Sequence, residues 1–105
     1  MTSESVVESV ILPVKPGQES DFEAAMRQAV AIISRQRGFR GLRLSRCIER
    51  PNEYLLHVQW AQLRDHTVGF RESADYALWR TALHHYYDPV PQVDHFVDVL
   101  VLRSS

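Results

Sequence analysis

The segment FRGLRLSRCIERPNEYLLHVQW, Phe39–Trp60, decides the fold of this 105-residue chain. Its first part, Phe39–Ile48, and its last part, Tyr54–Trp60, are rich in the aliphatic, β-branched and aromatic residues that favour strands. The loop Glu49–Asn52 lies between them and contains a proline. Because so short a loop joins antiparallel neighbours, the segment predicts a β-hairpin.

The residues before the hairpin predict a strand and then an amphipathic helix. Ser5–Val14 is rich in valine and isoleucine, which is typical of a strand. From Gln18 to Gln36 the spacing changes to that of one helix face, with apolar residues at Phe22, Ala25, Met26, Ala29, Ile32 and Ile33. Ser20–Glu23 has the form of a capping box, and Gly38 is the residue type that commonly ends a helix.

The residues after the hairpin predict two helical segments and a last strand. Helical spacing relates Leu63, His66, Thr67 and Phe70, and Ser73 can cap a further helix that carries Tyr76, Trp79, Arg80, Leu83 and Tyr87. The prolines of Asp88–Pro91 stop that helix, and Val93–Leu102 predicts the last strand. The order β-α-β-β-α-α-β predicts one α+β domain over residues 1–105, a ferredoxin-like split fold with an antiparallel sheet and helices on one face.

The last two predicted strands carry bulky side chains on both faces. In Val93–Leu102, for example, Phe96 and Leu100 alternate with valines, whereas a solvated sheet face would show polar alternation. The sheet face without helices is therefore expected to pack on a second copy of the chain, as a homodimer.

Composition excludes several classes of protein. Hydrophobic residues make up 45% of the chain and charged residues 24%, which is typical of a globular domain. Twelve basic residues against thirteen acidic ones give no surplus for a nucleic acid backbone. No apolar stretch is long enough to cross a bilayer, the N-terminus lacks the pattern of a signal peptide, and the single Cys47 has no internal disulfide partner. The expectation is a cytoplasmic protein with no membrane or nucleic acid partner.

Four stretches together resemble the antibiotic biosynthesis monooxygenase (ABM) domain family of dimeric α+β barrels: YLLHVQW at 54–60, DHTVGFRES at 65–73, YALW at 76–79 and HHYYDPVPQVDHF at 84–96. The resemblance covers almost the whole chain. It implies two ferredoxin-like units paired sheet to sheet, each with a pocket between helices and sheet. Some members oxidise aromatic polyketide phenols to quinones with O₂ and no flavin, metal or haem, and others cleave haem.

The chain departs from the haem-degrading members of that family. Phe70 stands where they have a tryptophan, Arg80 stands where they have a histidine, and the first strand has no asparagine. Haem degradation is therefore disfavoured.

His66 is the candidate catalytic base. It lies on the apolar side of its short helix, one turn before Phe70, and histidine titrates near neutral pH, so it can take a phenolic proton. The alternative is a histidine that is hydrogen-bonded in the wall of the core.

The candidate substrate-binding residues are aromatic or imidazole side chains: Trp60, Phe70, Tyr76, Trp79, His84, Tyr86 and His95. Large aromatic residues are also the usual components of a core, so both roles stay open for the tryptophans. Tyr86 and Tyr87 are adjacent and diverge on a helix, so only one of them can face a given pocket. The neighbours His84 and His85 diverge in the same way, which disfavours a metal site, and no glycine pattern supports a nucleotide cofactor.

The function expected from these residues and this resemblance is cofactor-independent monooxygenation of a small aromatic phenol with O₂. The alternative is a non-catalytic dimer that binds a small hydrophobic or aromatic ligand, or that responds to stress, because one fold hosts many functions.

Overall fold

The computed structural model describes residues 5–104, and four antiparallel strands with helices on one face account for most of them. The elements are β1 (Val6–Pro13), α1 (Glu19–Ser34), β2 (Phe39–Arg46), β3 (Glu53–Trp60), a π-helical turn (Asp65–Phe70), α2 (Ala74–Leu83), a 3₁₀ turn (His84–Tyr86) and β4 (Val93–Phe96). The strand order in the sheet is β2-β3-β1-β4. This confirms the predicted α+β class, the split order of elements and the hairpin of β2 and β3.

The register of the sheet decides which side chains face the helices. β1 lies in the middle and pairs with β3, with Val10 opposite Leu56 and Leu12 opposite Tyr54. Alternate residues of both strands are buried because they point toward the helices, while their neighbours point to the open face. The core therefore lies between the sheet and the helices.

The predicted capping box of α1 is wrong. The helix begins at Glu19 after Gln18, which makes no side-chain cap, and the Glu19 carboxylate instead accepts a hydrogen bond of 2.9 Å from the backbone N–H of Gly17. Local backbone bonds around Gln18 thus replace the serine cap. Beyond the other end of the helix, Gly38 has a φ of 83°, a conformation that glycine adopts without a Cβ penalty.

The start of α2 is as predicted. The hydroxyl of Ser73 accepts a hydrogen bond of 3.2 Å from the backbone N–H of Tyr76, which is an N-cap. The same end of α2 is tied to α1, because the carboxylate of Asp75 accepts hydrogen bonds of 2.6 Å from Arg35 and 2.7 Å from Gln36.

The last strand is shorter than the predicted Val93–Leu102, because β4 ends at Phe96. Phe96 pairs with Val7, and within residues 5–104 no strand pairs with the residues that follow Phe96. Apart from Asp98, residues Val97–Leu102 are apolar, and all six are exposed, with Leu102 92% exposed.

Aromatic rings form much of the core. Phe22 of α1 packs on Tyr54 of β3 with ring centroids 4.9 Å apart, and Trp60 at the end of β3 packs on Phe70 at 6.0 Å. All four rings are at most 2% exposed. These contacts fix the helices on the sheet and, with them, the position of the site described next.

Candidate functional site

A carboxylate is buried in the middle of the sheet. Glu8 lies on the helix-facing side of β1, opposite Val58 of β3 and His95 of β4, and its side chain is 8% exposed. A carboxylate is costly to bury unless polar groups surround it, so its neighbours define the site.

Two side chains hold one oxygen of that carboxylate. The indole Nε1–H of Trp60 donates a hydrogen bond of 3.0 Å to Oε1 of Glu8, and Nε2 of His66 lies 3.4 Å from the same oxygen. The imidazole of His66 stacks on the indole of Trp60, with 5.4 Å between centroids and 15° between planes. The stacking and the two polar contacts together fix the ring of His66.

The polar contacts continue from His66 to the edge of the sheet. Nδ1 of His66 lies 2.8 Å from Nε2 of His95, which is a hydrogen bond between the two rings. His95 is half-buried on β4, whereas His66 is 3% exposed. Glu8, His66 and His95 therefore form a connected row from the interior of the sheet toward solvent.

The π-helical turn presents His66 to this row. The backbone N–H of Arg71 donates to the carbonyl of His66 over five residues, at 3.1 Å, which is the wider repeat of a π-helix. The carboxylate of Asp65 accepts a hydrogen bond of 3.0 Å from the backbone N–H of Gln62 and closes the start of the turn. Such turns are frequent at functional sites because they change the direction in which a side chain points.

Burial shifts the pKa values of the row. Loss of solvent raises the pKa of the Glu8 carboxyl, although the hydrogen bond from Trp60 and the charge of Arg71 act in the opposite direction. Loss of solvent, with the charges of Arg71 and His95, lowers the pKa of His66 to about 3. The pKa of His95 is lowered as well, by partial burial and then by Arg71. His66 is therefore neutral at neutral pH.

Glu8 also lines a cleft of about 380 Å³ between the sheet and α2. The other lining residues come from the sheet, from the end of the π-helical turn, from α2 and from the segment before β4: Val10, Leu12, Leu56, Arg71, Tyr76, Trp79, His84, Tyr87, Val90, Pro91 and Val93. Glu8 is buried whereas Arg71 and Val90 are exposed, so the carboxylate lies at the floor and those two residues lie at the mouth.

The phenol of Tyr87 stays protonated in this cleft. Burial raises its pKa, and the nearby charge of Glu8 raises it further. Burial also lowers the pKa of His84, followed by the charge of Arg80. The cleft thus combines a neutral hydroxyl donor, a neutral imidazole and one carboxylate.

The structure brings most of the predicted site residues together, at two depths. Tyr76, Trp79 and His84 line the cleft. Behind its floor, His66 and His95 belong to the row that ends on Glu8, and the fully buried Trp60 and Phe70 pack around His66.

Of the two adjacent tyrosines, Tyr87 lines the cleft and Tyr86, which the sequence favoured, does not. The ring of Tyr86 packs between Phe22, at 5.9 Å, and His85, at 4.2 Å. Both rings pack edge-on against Phe22, Tyr87 at 5.8 Å, but the 3₁₀ turn ends at Tyr86 and only Tyr87 reaches the cleft.

Glu8 is the site residue that the sequence reasoning missed. The signal was present in the alternation of β1. The buried face of this strand consists of Val6, Glu8, Val10 and Leu12, so Glu8 replaces an apolar residue. A glutamate in that alternation is a charge on a buried face.

A second, larger groove of about 660 Å³ lies on the open sheet face, lined among others by Ser9, Arg43, His57 and Phe96. It holds no buried ionisable side chain, in contrast to the cleft. Across residues 5–104, no group of three or more His, Cys, Asp or Glu side chains is placed to hold a metal ion. Within the same range, no helix has the length and apolar character that a membrane span requires.

Comparison with known proteins agrees with the fold. Residues 6–82 match the family model of the antibiotic biosynthesis monooxygenases. Since that match covers most of the chain, this protein belongs to the antibiotic biosynthesis monooxygenase family. The chain is 48% identical over 94 residues to the uncharacterized protein YczJ of Bacillus subtilis, and the match covers 90% of this chain and 99% of YczJ.

Solved structures share the architecture. A candidate antibiotic biosynthesis monooxygenase from Bordetella bronchiseptica is 40% identical, with a TM-score of 0.89 over 92% of this chain and 99% of that one. SnoaB, a cofactor-independent oxygenase from Streptomyces nogalater, has a TM-score of 0.83 at 20% identity over 96% and 99% of the two chains. A Streptomyces coelicolor monooxygenase from the gene ActVA-Orf6, solved with nanaomycin D, has a TM-score of 0.83 at 19% identity over 98% and 95%. The last two likenesses concern the fold.

Proposed function

We propose that this protein is a cofactor-independent monooxygenase that oxidises a small hydroxyarene with O₂. The observation that carries the proposal is the cleft: a buried carboxylate at the floor of a cavity of about 380 Å³ with tyrosine and tryptophan walls. Family membership supports it, and so does the fold shared with SnoaB, which is a cofactor-independent oxygenase.

The shape and chemistry of the cleft suit a planar aromatic ligand. Its volume falls in the range of small-molecule sites, roughly 300–1,000 Å³. Trp79 is 7% exposed and Tyr76 packs edge-on against Phe70 at 5.3 Å, so these rings offer fixed apolar walls. Offset or edge-to-face contacts with such rings would hold a second aromatic system.

The chemistry requires a proton acceptor and a dry site. Once the hydroxyl proton of the ligand is removed, the phenolate passes one electron to O₂, and the aryloxyl radical and superoxide combine at a ring carbon. The resulting peroxide anion takes the proton back, and loss of water from the hydroperoxide leaves a carbonyl, so one oxygen atom ends in the quinone and the other in water. Apolar walls such as Trp79, Leu12 and Leu56 would keep the radical pair together and exclude solvent.

The test is O₂ consumption by the purified protein with a dihydroxynaphthalene or an anthrone, with the quinone followed by its absorbance. Trp79→Ala should raise KM, because it removes a wall of the cleft, whereas Leu78→Ala should not, because Leu78 is on the same helix and 54% exposed. Saturable binding of the hydroxyarene with no O₂ consumption would favour the second candidate, a non-catalytic ligand-binding protein of the same fold.

The proposal includes a homodimer formed through the open sheet face. That face carries Val7, Ile11, Leu55 and Phe96, of which Ile11 is 53% and Phe96 is 56% exposed. The exposed apolar segment Val97–Leu102 follows directly. Exposed apolar surface of this extent is typical of an interface.

Sedimentation velocity tests the dimer. Ile11→Glu should convert it to a monomer, because it places a charge beside Leu55 among the exposed apolar side chains of that face. Ile48→Glu is the matched control, since Ile48 is 89% exposed and lies beyond the end of β2. A monomeric wild-type chain would refute this part of the proposal. A cytoplasmic location stays a prediction from the sequence.

A further inference from the structure

The two carboxylate oxygens of Glu8 have different surroundings. Oε1 accepts the hydrogen bond from Trp60 and is in contact with Nε2 of His66. Between residues 5–104, no hydrogen bond reaches Oε2. Since no side-chain oxygen or nitrogen in these residues is both fully buried and without a partner, Oε2 is not fully buried. Since Glu8 lines the cleft, Oε2 is the oxygen that a bound molecule can reach.

We propose that Glu8, through Oε2, receives the hydroxyl proton of the bound hydroxyarene, while Trp60 and His66 hold Oε1 and so position the carboxylate. This inference rests on the proposed function and names the catalytic residue for it. It replaces His66, the base expected from the sequence, with the carboxylate that His66 touches.

Geometry favours Glu8 over His66 as the acceptor. Both ring nitrogens of His66 are already engaged, Nδ1 with His95 and Nε2 with Glu8, and His66 does not line the cleft. A base must come within hydrogen-bond reach of the proton that it removes.

Basicity points the same way. In water imidazole is the stronger base, but here burial lowers the pKa of His66 to about 3 and raises the pKa of Glu8 above the ordinary 4.5. The environment therefore reverses the usual order of the two groups. A carboxylate with a raised pKa is the better proton acceptor at neutral pH, because its conjugate acid lies closer to the working pH.

One assignment of ring protons satisfies both contacts of His66, and it is the assignment that the positioning role requires. When Glu8 is ionised, His66 donates Nε2–H toward Oε1 and accepts at Nδ1 from Nε2–H of His95. Both donors then point along the row toward the carboxylate. His66 and His95 are thus positioning residues, comparable to the orienting partners of other catalytic bases.

Polar, charged and titratable groups surround Glu8 on several elements, and their positions determine how a ligand would be oriented. Trp60 and His66 contact the carboxylate from β3 and the π-helical turn, and His95 lies opposite it on β4. Tyr76, His84 and Tyr87 share the cleft, and the exposed Arg71 lies at its mouth. A hydroxyarene would enter with its hydroxyl group toward Glu8, and an acidic substituent at its far end would meet Arg71.

The experiment compares wild type with Glu8→Gln, which retains the shape of the side chain and an oxygen that can accept from Trp60 but cannot take up the proton. Glu49→Gln is the matched control, because Glu49 is exposed in the hairpin loop. Two quantities are measured for each protein: the pH profile of kcat/KM for O₂ consumption with a dihydroxynaphthalene, and the ratio of Kd values for that compound and its O-methyl ether. Circular dichroism verifies that each variant folds.

For wild type we expect kcat/KM to rise with pH through a pKa above 4.5, and the hydroxyl compound to bind about tenfold tighter than the ether, because an ionised acceptor strengthens the hydrogen bond. Glu8→Gln should lower kcat about 100-fold or more, remove the rising limb and reduce the binding preference to about threefold or less. His95→Gln should move the midpoint of the limb without removing it.

The two measurements separate the two proposals. Unchanged kcat and an unchanged binding preference in Glu8→Gln would overturn the assignment of Glu8, even if wild type is an oxygenase. Absence of O₂ consumption in wild type would overturn the proposed function. In that case the binding preference alone decides whether Glu8 receives the hydroxyl hydrogen, and a ratio near one in wild type would refute it.

Discussion

The buried imidazole of His66 should make the protein sensitive to acid. The pKa of His66 is about 3 in the folded protein and 6.5 in an unfolded chain. Between these two pH values, His66 is protonated in the unfolded state but not in the folded state, so protons favour unfolding. The stabilisation is complete above pH 6.5 and is lost as the pH falls toward 3. Each pH unit in that window is worth ~1.4 kcal/mol, which gives ~5 kcal/mol over the whole window and ~3 kcal/mol by pH 4.

Urea denaturation at pH 7 and at pH 4 measures this loss, and His66→Gln serves as the comparison because an amide does not titrate. Glu8 has the opposite effect on the free energy of unfolding. Because its pKa is raised above 4.5, ionisation of Glu8 lowers the stability as the pH rises, so acidification offsets part of the loss due to His66. The difference between the two proteins isolates the histidine. Wild type should lose ~3 kcal/mol more than His66→Gln between the two pH values, and a difference below ~1 kcal/mol would refute the reasoning. A domain of this size is stabilised by only about 5–15 kcal/mol in total, so the effect is measurable.

Three further predictions concern stability. Phe22→Ala should destabilise by about 3–5 kcal/mol in urea denaturation, since Phe22 is fully buried, whereas the exposed Leu78→Ala should stay within about 0.5 kcal/mol; equal effects would contradict the described core. Asp75→Asn should lower stability at pH 7 but not at pH 2, because Arg35 and Gln36 hold the pKa of Asp75 at about 2 and its stabilisation is lost as the pH falls from 3.8. Gly38→Ala should lower the midpoint of thermal unfolding, because φ is 83° and the added methyl group would meet the Asp65 side chain; a raised midpoint would exclude that contact.

Local sequence signals were sufficient for most of the fold. The four-residue loop after Ile48 predicted the hairpin, and the apolar stripe from Phe22 to Ile33 predicted α1, because short loops and helical periodicity depend on neighbouring residues alone. The end of β4 depends instead on its pairing with β1, which is distant in the sequence, since a strand needs a partner. The residue pattern of Val97–Leu102 does not indicate that β4 ends at Phe96.

The site was less accessible to prediction for a related reason. His66 was chosen from its residue type, whereas its basicity depends on burial and on Arg71 and His95, which only the folded chain brings near. Its π-helical turn depends on hydrogen bonds over five residues, which helical spacing of apolar side chains does not reveal. Glu8 could have been recognised, because it interrupts the buried face of β1.

The position of His95 on an edge strand has a kinetic consequence. Within residues 5–104, β4 pairs only with β1, through four residue pairs from Val7–Phe96 to Val10–Val93. Edge strands of this length separate locally at a lower free energy than the domain unfolds, so amide hydrogens of β4 should exchange before those of β3. Each separation would let water reach His66 and Glu8 from behind the cleft. The rate at which the buried carboxylate exchanges protons with solvent is therefore coupled to the opening of this one strand, and a partner that covered the sheet edge would slow it.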